Sequence, residues 1–163
     1  MDTLSLPQSL VSLLLHDNRF KGTFDIAGLP RNVRIVNIAR NGLCGSLDVR
    51  SFPQTIEIFH ASDSAFSGTI DLISLPVHLQ KFSVEGNHLS GEIDLRFPSR
   101  PIFYCHFGEN AFQQDVVVFP SDRSNIRYPA LDNHTFGSFI HTNGDAVMMT
   151  PSSDKQTLKL SCG

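Results

Sequence analysis

Apolar and polar positions along this chain follow one long period rather than a simple alternation. The first run reads Leu10-x-x-Leu13-x-Leu15-x-x-Asn18-x-Phe20. It returns as Val33, Val36, Ile38, Asn41 and Leu43, then as Ile56, Phe59, Ala61, Ser64 and Phe66. Leu79, Phe82, Val84, Asn87 and Leu89 form the fourth run, and Ile102, Cys105, Phe107, Asn110 and Phe112 the fifth. Leu6-Pro7, Leu29-Pro30, Phe52-Pro53 and Leu75-Pro76 mark the same point in successive units, 23 residues apart. Within each run the apolar–x–apolar pair predicts a short strand with both side chains pointing inward. A unit this small cannot bury that face alone, so the units must stack into a solenoid.

The second half of each unit is equally regular. Gly22, Gly45, Gly68 and Gly91 fall four residues after the Asn column, where a positive φ or close packing suits glycine. The triplets Phe24-Asp25-Ile26, Leu47-Asp48-Val49, Ile70-Asp71-Leu72 and Ile93-Asp94-Leu95 follow. Period two turns their apolar members inward and the Asp outward, which predicts short strands on the convex side. No stretch shows a helical period. The expected fold is a β-rich, right-handed superhelix with a parallel concave sheet, short convex strands or turns, and few or no helices. Asn18, Asn41, Asn87 and Asn110 are expected to satisfy backbone groups where the chain leaves each concave strand. Ser64 is the weak rung of that ladder.

The composite unit, LPxxLxxLxLxxNxFxGxIDLxxLP, resembles the leucine-rich repeats of many kinetoplastid proteins. It is also similar to the plant-type repeat, where Gly-x-Ile-Pro stands in place of Gly-x-Ile-Asp. The likeness covers residues 1–120, about five units. It implies a leucine-rich repeat solenoid with a non-catalytic protein-interaction surface, and it transfers no catalytic residue.

The ends depart from the period. Met1 to Pro7 align with Ile70 to Pro76, so the first unit begins in mid-repeat with Asp2 in register with the Asp column. An edge covered by a partner or by further sequence is expected there. The fifth unit carries Pro101 and replaces the Gly-x-Ile-Asp step with Gln114-Asp115-Val116-Val117. Residues 121–163 lose the period and are expected to form an irregular C-terminal cap or tail.

Composition narrows the function. A net charge of −3 and a pI of 6.1 lack the basic stripe that nucleic acid requires. No apolar run approaches the ~20 residues of a membrane span, and the run from Leu10 to Leu15 is too short and wrongly placed for a signal peptide. Cys44, Cys105 and Cys162 are an odd set without a close pair, which suggests reduced thiols, with Cys105 in the core. A cytoplasmic location is therefore expected, or a secreted or surface one if the chain is a fragment. Asn133-His134-Thr135 is the glycosylation sequon. The stacked carboxylates Asp25, Asp48, Asp71 and Asp94 need an offset to their repulsion. Hydrogen bonds to turn amides, with Arg50 and Arg96 as local cations, would supply it; a cation-binding ridge is the sharper alternative.

The outward positions of the concave strands hold the candidate partner-binding residues. They are Leu14, Ile35, Asn37, Arg40, Ile58, His60, Lys81, Glu85, Tyr104 and His106. Apolar side chains beside charges of both signs suit a protein interface. His60 and His106 share a column two units apart, about 10 Å, too far for one metal ion. Neither a nucleophile elbow nor a phosphate loop is present, so no cofactor and no enzyme activity are expected. The expected function is a protein-binding module or scaffold, its partner unidentified, acting through the concave face or the repeat ends. An architectural subunit of a large complex, or a fragment of a surface recognition protein, is the alternative.

Overall fold

The computed structural model describes residues 3–95, 102–119, 126–132, 136–147, 149–151 and 157–160. Its strands are short and appear in a fixed rhythm. β1 (Ser12–Leu14) is followed by β2 (Lys21–Thr23), β3 (Ile35–Asn37), β4 (Gly42–Gly45) and β5 (Ile58–His60). Then come β6 (Ala65–Gly68), β7 (Lys81–Ser83), β8 (His88–Gly91), β9 (Ile102–His106) and β10 (Ala111–Phe112). The last group is β11 (Gln114–Phe119), β12 (Ile126–Asp132), β13 (Phe136–His141), β14 (Met149–Pro151) and β15 (Thr157–Leu160).

The strands β1, β3, β5, β7 and β9 pair in parallel, each residue meeting its equivalent in the next unit, as in Leu13↔Val36↔Phe59↔Phe82↔Cys105. Beyond residue 120 the same sheet continues. β12 pairs in parallel with β9, Tyr128 opposite Tyr104, and the antiparallel strands β15 and β14 follow. The strands β2, β4, β6, β8 and β10 form a second parallel row on the convex side. A third pair, β11 with β13, is also parallel.

The convex strands lie one step earlier than the triplets that predicted them. β2 is centred on Gly22, and β4, β6 and β8 end on Gly45, Gly68 and Gly91; all four glycines take φ between 84° and 92°, a region open to a residue without Cβ. The triplets keep the expected alternation: Leu47 and Val49 are buried around exposed Asp48, and Ile70 and Leu72 around exposed Asp71. After the Asp the chain tightens into single 3-10 turns, Val49–Ser51 and Leu72–Ser74. The carboxylates are held by these turns. Asp25 accepts from the Ala27 amide, Asp48 from Arg50 and Ser51, and Asp71 from Ser74. The hydrogen bonds and Arg50 hold the Asp48 carboxyl below the usual range. Arg96, the other expected cation, lies outside the described residues.

Between the two rows the core is a set of stacked columns. Phe59, Phe66, Phe82 and Phe107 are fully enclosed. The ring centroids of Phe59 and Phe82 lie 5.9 Å apart, and those of Phe82 and Phe107 6.1 Å. Cys105 occupies the same inward column as Phe82, and burial pushes its thiol pKa up. Cys44 and Cys105 are both free thiols; Cys162 lies outside the described residues.

The Asn ladder closes each coil. Asn87 directs its amide at the carbonyls of Ala61, Val84 and Glu85 and accepts from the Phe66 amide at 3.0 Å. Asn41 and Asn110 repeat this set one unit at a time. Each therefore ties its own turn to the preceding unit. Asn18 makes only the local part, to Leu15 and His16. Ser64 is too short for either reach, and its hydroxyl is buried without a partner. Restoring the amide with Ser64→Asn should raise stability by about 1–2 kcal/mol, whereas Asn87→Ala should cost about 3 kcal/mol by stranding buried carbonyls and an amide. Urea unfolding midpoints of the two variants check both signs.

Candidate binding face

The concave sheet sorts its outward side chains into columns. The first runs Ser12, Ile35, Ile58, Lys81, Tyr104, and the second Leu14, Asn37, His60, Ser83, His106. All ten sequence-derived candidates fall on this side of the solenoid, in these columns or just after the strands. Leu14 is 59% exposed and Tyr104 42%, while Ile35, Asn37, Ile58, His60, Glu85 and His106 are half-buried. Ala39 and Gly108, which continue the outward alternation just past β3 and β9, are buried; a methyl or a hydrogen does not reach past the neighbouring backbone.

The residue before each Asn position takes the left-handed conformation: Asp17, Arg40, Asp63, Gly86 and Glu109 have φ between 52° and 65°. For the non-glycine members this costs about 1–2 kcal/mol each, offset by the Asn ladder that follows. A Cβ at Gly86 would lie 2.6 Å from Asp63 Oδ1, so a larger residue there would make the exposed Asp63 side chain turn aside. The turn holds an exposed charged rim beside the strands. Arg40 spans to Asp17 of the preceding unit through both carboxylate oxygens, with Nη2–Oδ2 at 2.7 Å. This pairing could have been found in the sequence, since the two residues stand 23 apart in one column.

The candidates of the later units meet around a shallow open depression of about 170 Å³, lined by His60, Lys81, Phe82, Ser83, Tyr104 and His106. Lys81 Nζ sits 5.5 Å from the Tyr104 ring centroid. His106 Nδ1 lies 3.6 Å from Glu85 Oε2, and the Tyr104 and His106 rings are 6.2 Å apart. Leu14, Ile35 and Asn37 lie on the earlier units and do not join this cluster. Ser83, between His60 and His106 in the second column and not among the sequence-derived candidates, also lines the depression and is hydrogen-bonded to Ser62 at 2.7 Å. Among the described residues no group of three His, Cys, Asp or Glu side chains could hold a metal ion.

Solved structures share this architecture. The chain is similar to the crystal structure of a pollen receptor kinase 3, with a TM-score of 0.61, 20% identity, and 75% of this chain and 64% of that one covered. It is also similar to the plant peptide hormone receptor RGFR1 in complex with RGF2, with a TM-score of 0.57 and 18% identity over 82% of this chain and 25% of that one. A TDR receptor gives 0.51 and 16%, over 83% and 28%. The chain is a leucine-rich repeat solenoid. It spans less than two thirds of each of these neighbours, and at such identities the likeness concerns the fold. No family model matches the chain, and no curated protein matches it either.

In this leucine-rich repeat face the electrostatics are uneven. The rim charges are exposed: the Arg40 guanidinium holds the Asp17 carboxyl below the usual range, and Asp17 raises Arg40. Inside the depression, burial lowers the His60 pKa below 6.5, and the positive charges of Lys81 and His106 lower it further. His60 is therefore neutral at pH 7. On acidification the unfolded chain takes up this proton first, so His60 makes stability fall as pH drops through 6.5. Melting temperatures at pH 7.5 and 5.5 should show a larger acid loss for the wild type than for His60→Gln.

Proposed function

We propose that the concave face is a non-catalytic binding surface for an extended peptide or protein segment. The observation that carries this reading is the division of one open sheet face into two adjoining halves. Leu14, Ile35 and Ile58 offer apolar contact, and the depression around Ser83 offers aromatic and cationic contact. The backbone hydrogen bonds of the interior strands are already taken by their neighbours, so a ligand lying across them is read by side chains. Apolar contact beside a few placed polar groups is the composition of an interface core. The structural neighbour RGFR1, a plant peptide hormone receptor in complex with RGF2, supports a peptide or protein as the class of partner. The neighbours are receptors, and a surface or secreted setting is the one proposed in place of the cytoplasmic setting expected from the cysteines. Asn133, the sequon residue, lies outside the described residues.

A second reading, an architectural subunit, is favoured by the edge strands. Around β1 and β2, Leu4 is 74% exposed, Val11 48% and Phe20 39%. A further repeat or an assembly partner seated on that edge would cover them.

Crosslinking and recovery of partners with a triple variant, Ile35→Ser, Ile58→Ser and Tyr104→Ser, separates the two. Loss of partner from this variant at unchanged circular dichroism, with retention by the convex control Ile73→Ser, is the expected outcome. Equal recovery from both would remove the concave face from consideration and favour the edge.

A further inference from the structure

The second column of the concave sheet places His60, Ser83 and His106 on successive parallel strands. Strand spacing of about 4.8 Å sets one imidazole on each side of the Ser83 side chain. Lys81 precedes Ser83 by two residues on β7, so it stands on the same face, and its ammonium leans over Tyr104. The Ser83 and Ser62 hydroxyls share one hydrogen bond, leaving the second hydroxyl proton free to turn outward. Glu85 is the carboxylate close to this group, and it approaches His106 from the Nδ1 side, which leaves Nε2 unengaged by it.

We infer that the depression is an anion subsite that takes the carboxylate of an Asp or Glu side chain in a bound peptide. This rests on the concave-face reading and specifies its ligand. The Ser83 hydroxyl, the imidazoles of His60 and His106 and the Lys81 ammonium share this depression with the Tyr104 ring, while the Phe82 ring points into the core beneath it. A carboxylate seated there makes charge-assisted hydrogen bonds, stronger than neutral ones, beside half-buried His60 and His106. A ligand ammonium would meet Lys81 head-on. Polyphosphate chains would find a single lysine against a chain of net charge −3. Ile58 and Ile35 continue the Lys81 column at intervals of about 4.8 Å, so the acidic residue sits within a few residues of an aliphatic one.

A bound carboxylate favours imidazolium on His60, so affinity rises as pH falls. The groups facing His60 are Asn37 and Ile35 from β3, Lys81 from β7 and, one strand further, His106 and Tyr104; Glu85 faces His106. Lys81 opposes His60 protonation in the free protein, and a carboxylate between them removes that opposition. The effect is confined to the window below the ordinary histidine pKa of about 6.5.

Selection of a phage library of random heptapeptides against the intact chain at pH 6.0 tests the subsite. Enrichment of Asp or Glu beside an aliphatic residue is expected, with binding that weakens about tenfold or more for Lys81→Ala and weakens again at pH 7.5. A His60→Gln/His106→Gln variant should lose the pH dependence while keeping its circular dichroism. Enriched peptides without an acidic residue that are still lost on Ile35→Ser would overturn the anion subsite and leave the concave-face reading standing. Peptides insensitive to every one of these substitutions, or no enrichment at all, would overturn both.

Discussion

Everything in this solenoid depends on disposing of the backbone groups stranded where each coil leaves its concave strand. A strand that ends inside a stack cannot hand its carbonyls to water, and an unpaired buried carbonyl costs about as much as several good hydrogen bonds return. The Asn side chain resolves this with one amide. Its nitrogen gathers carbonyls from its own turn and from the unit before, and its oxygen takes an amide of that preceding unit. The bond is therefore both a turn cap and a weld between units. Phe stacking and aliphatic columns supply the bulk of the burial, but they are non-directional. The amide sets the register in which they stack.

The same device shapes the surface. To bring the Asn inward, the residue before it adopts the left-handed conformation, which turns its side chain to the rim. Charged residues gather there, paired as Arg40 with Asp17, while the strand positions remain available for Ile35, Ile58, His60, Lys81 and Tyr104. Structural demands thus account for the inward columns and the turn, and leave the outward columns almost unconstrained by folding. A face that folding does not specify is free to carry a partner's requirements.

Much of this was legible in the chain because a stacked fold converts sequence spacing directly into spatial columns. Leu13, Val36, Phe59, Phe82 and Cys105 could be read as neighbours from their interval alone, and so could the outward set that includes His60 and His106. What could not be read was anything set by side-chain reach. The sequence showed Lys81, Ser83, Tyr104 and His106 as positions on a face, not as walls of one depression. Most convex strands fall ahead of the triplets because the left-handed backbone at the glycine ends them before the apolar–Asp–apolar step begins. The continuation of the concave sheet by β12 was hidden because residues 126–132 lack the apolar columns that mark the earlier units.

Ser64 has a mechanical consequence. It stands where an Asn would weld the unit of Ile58 and His60 to the unit of Ile35 and Asn37, and its hydroxyl makes neither bond. The joint between those two units is held by strand pairing, packing, the Arg34–Glu57 ion pair and the Thr55 hydroxyl on the carbonyls of Arg31 and Val33, without the inward tie that Asn87 and Asn110 supply elsewhere. It is tied where the chain enters its concave strands and lacks the amide tie where the chain leaves them, so it can open on the exit side. That joint runs through the apolar half of the concave face, between Ile35 and Ile58, so the spacing of those two side chains is the most elastic dimension of the surface.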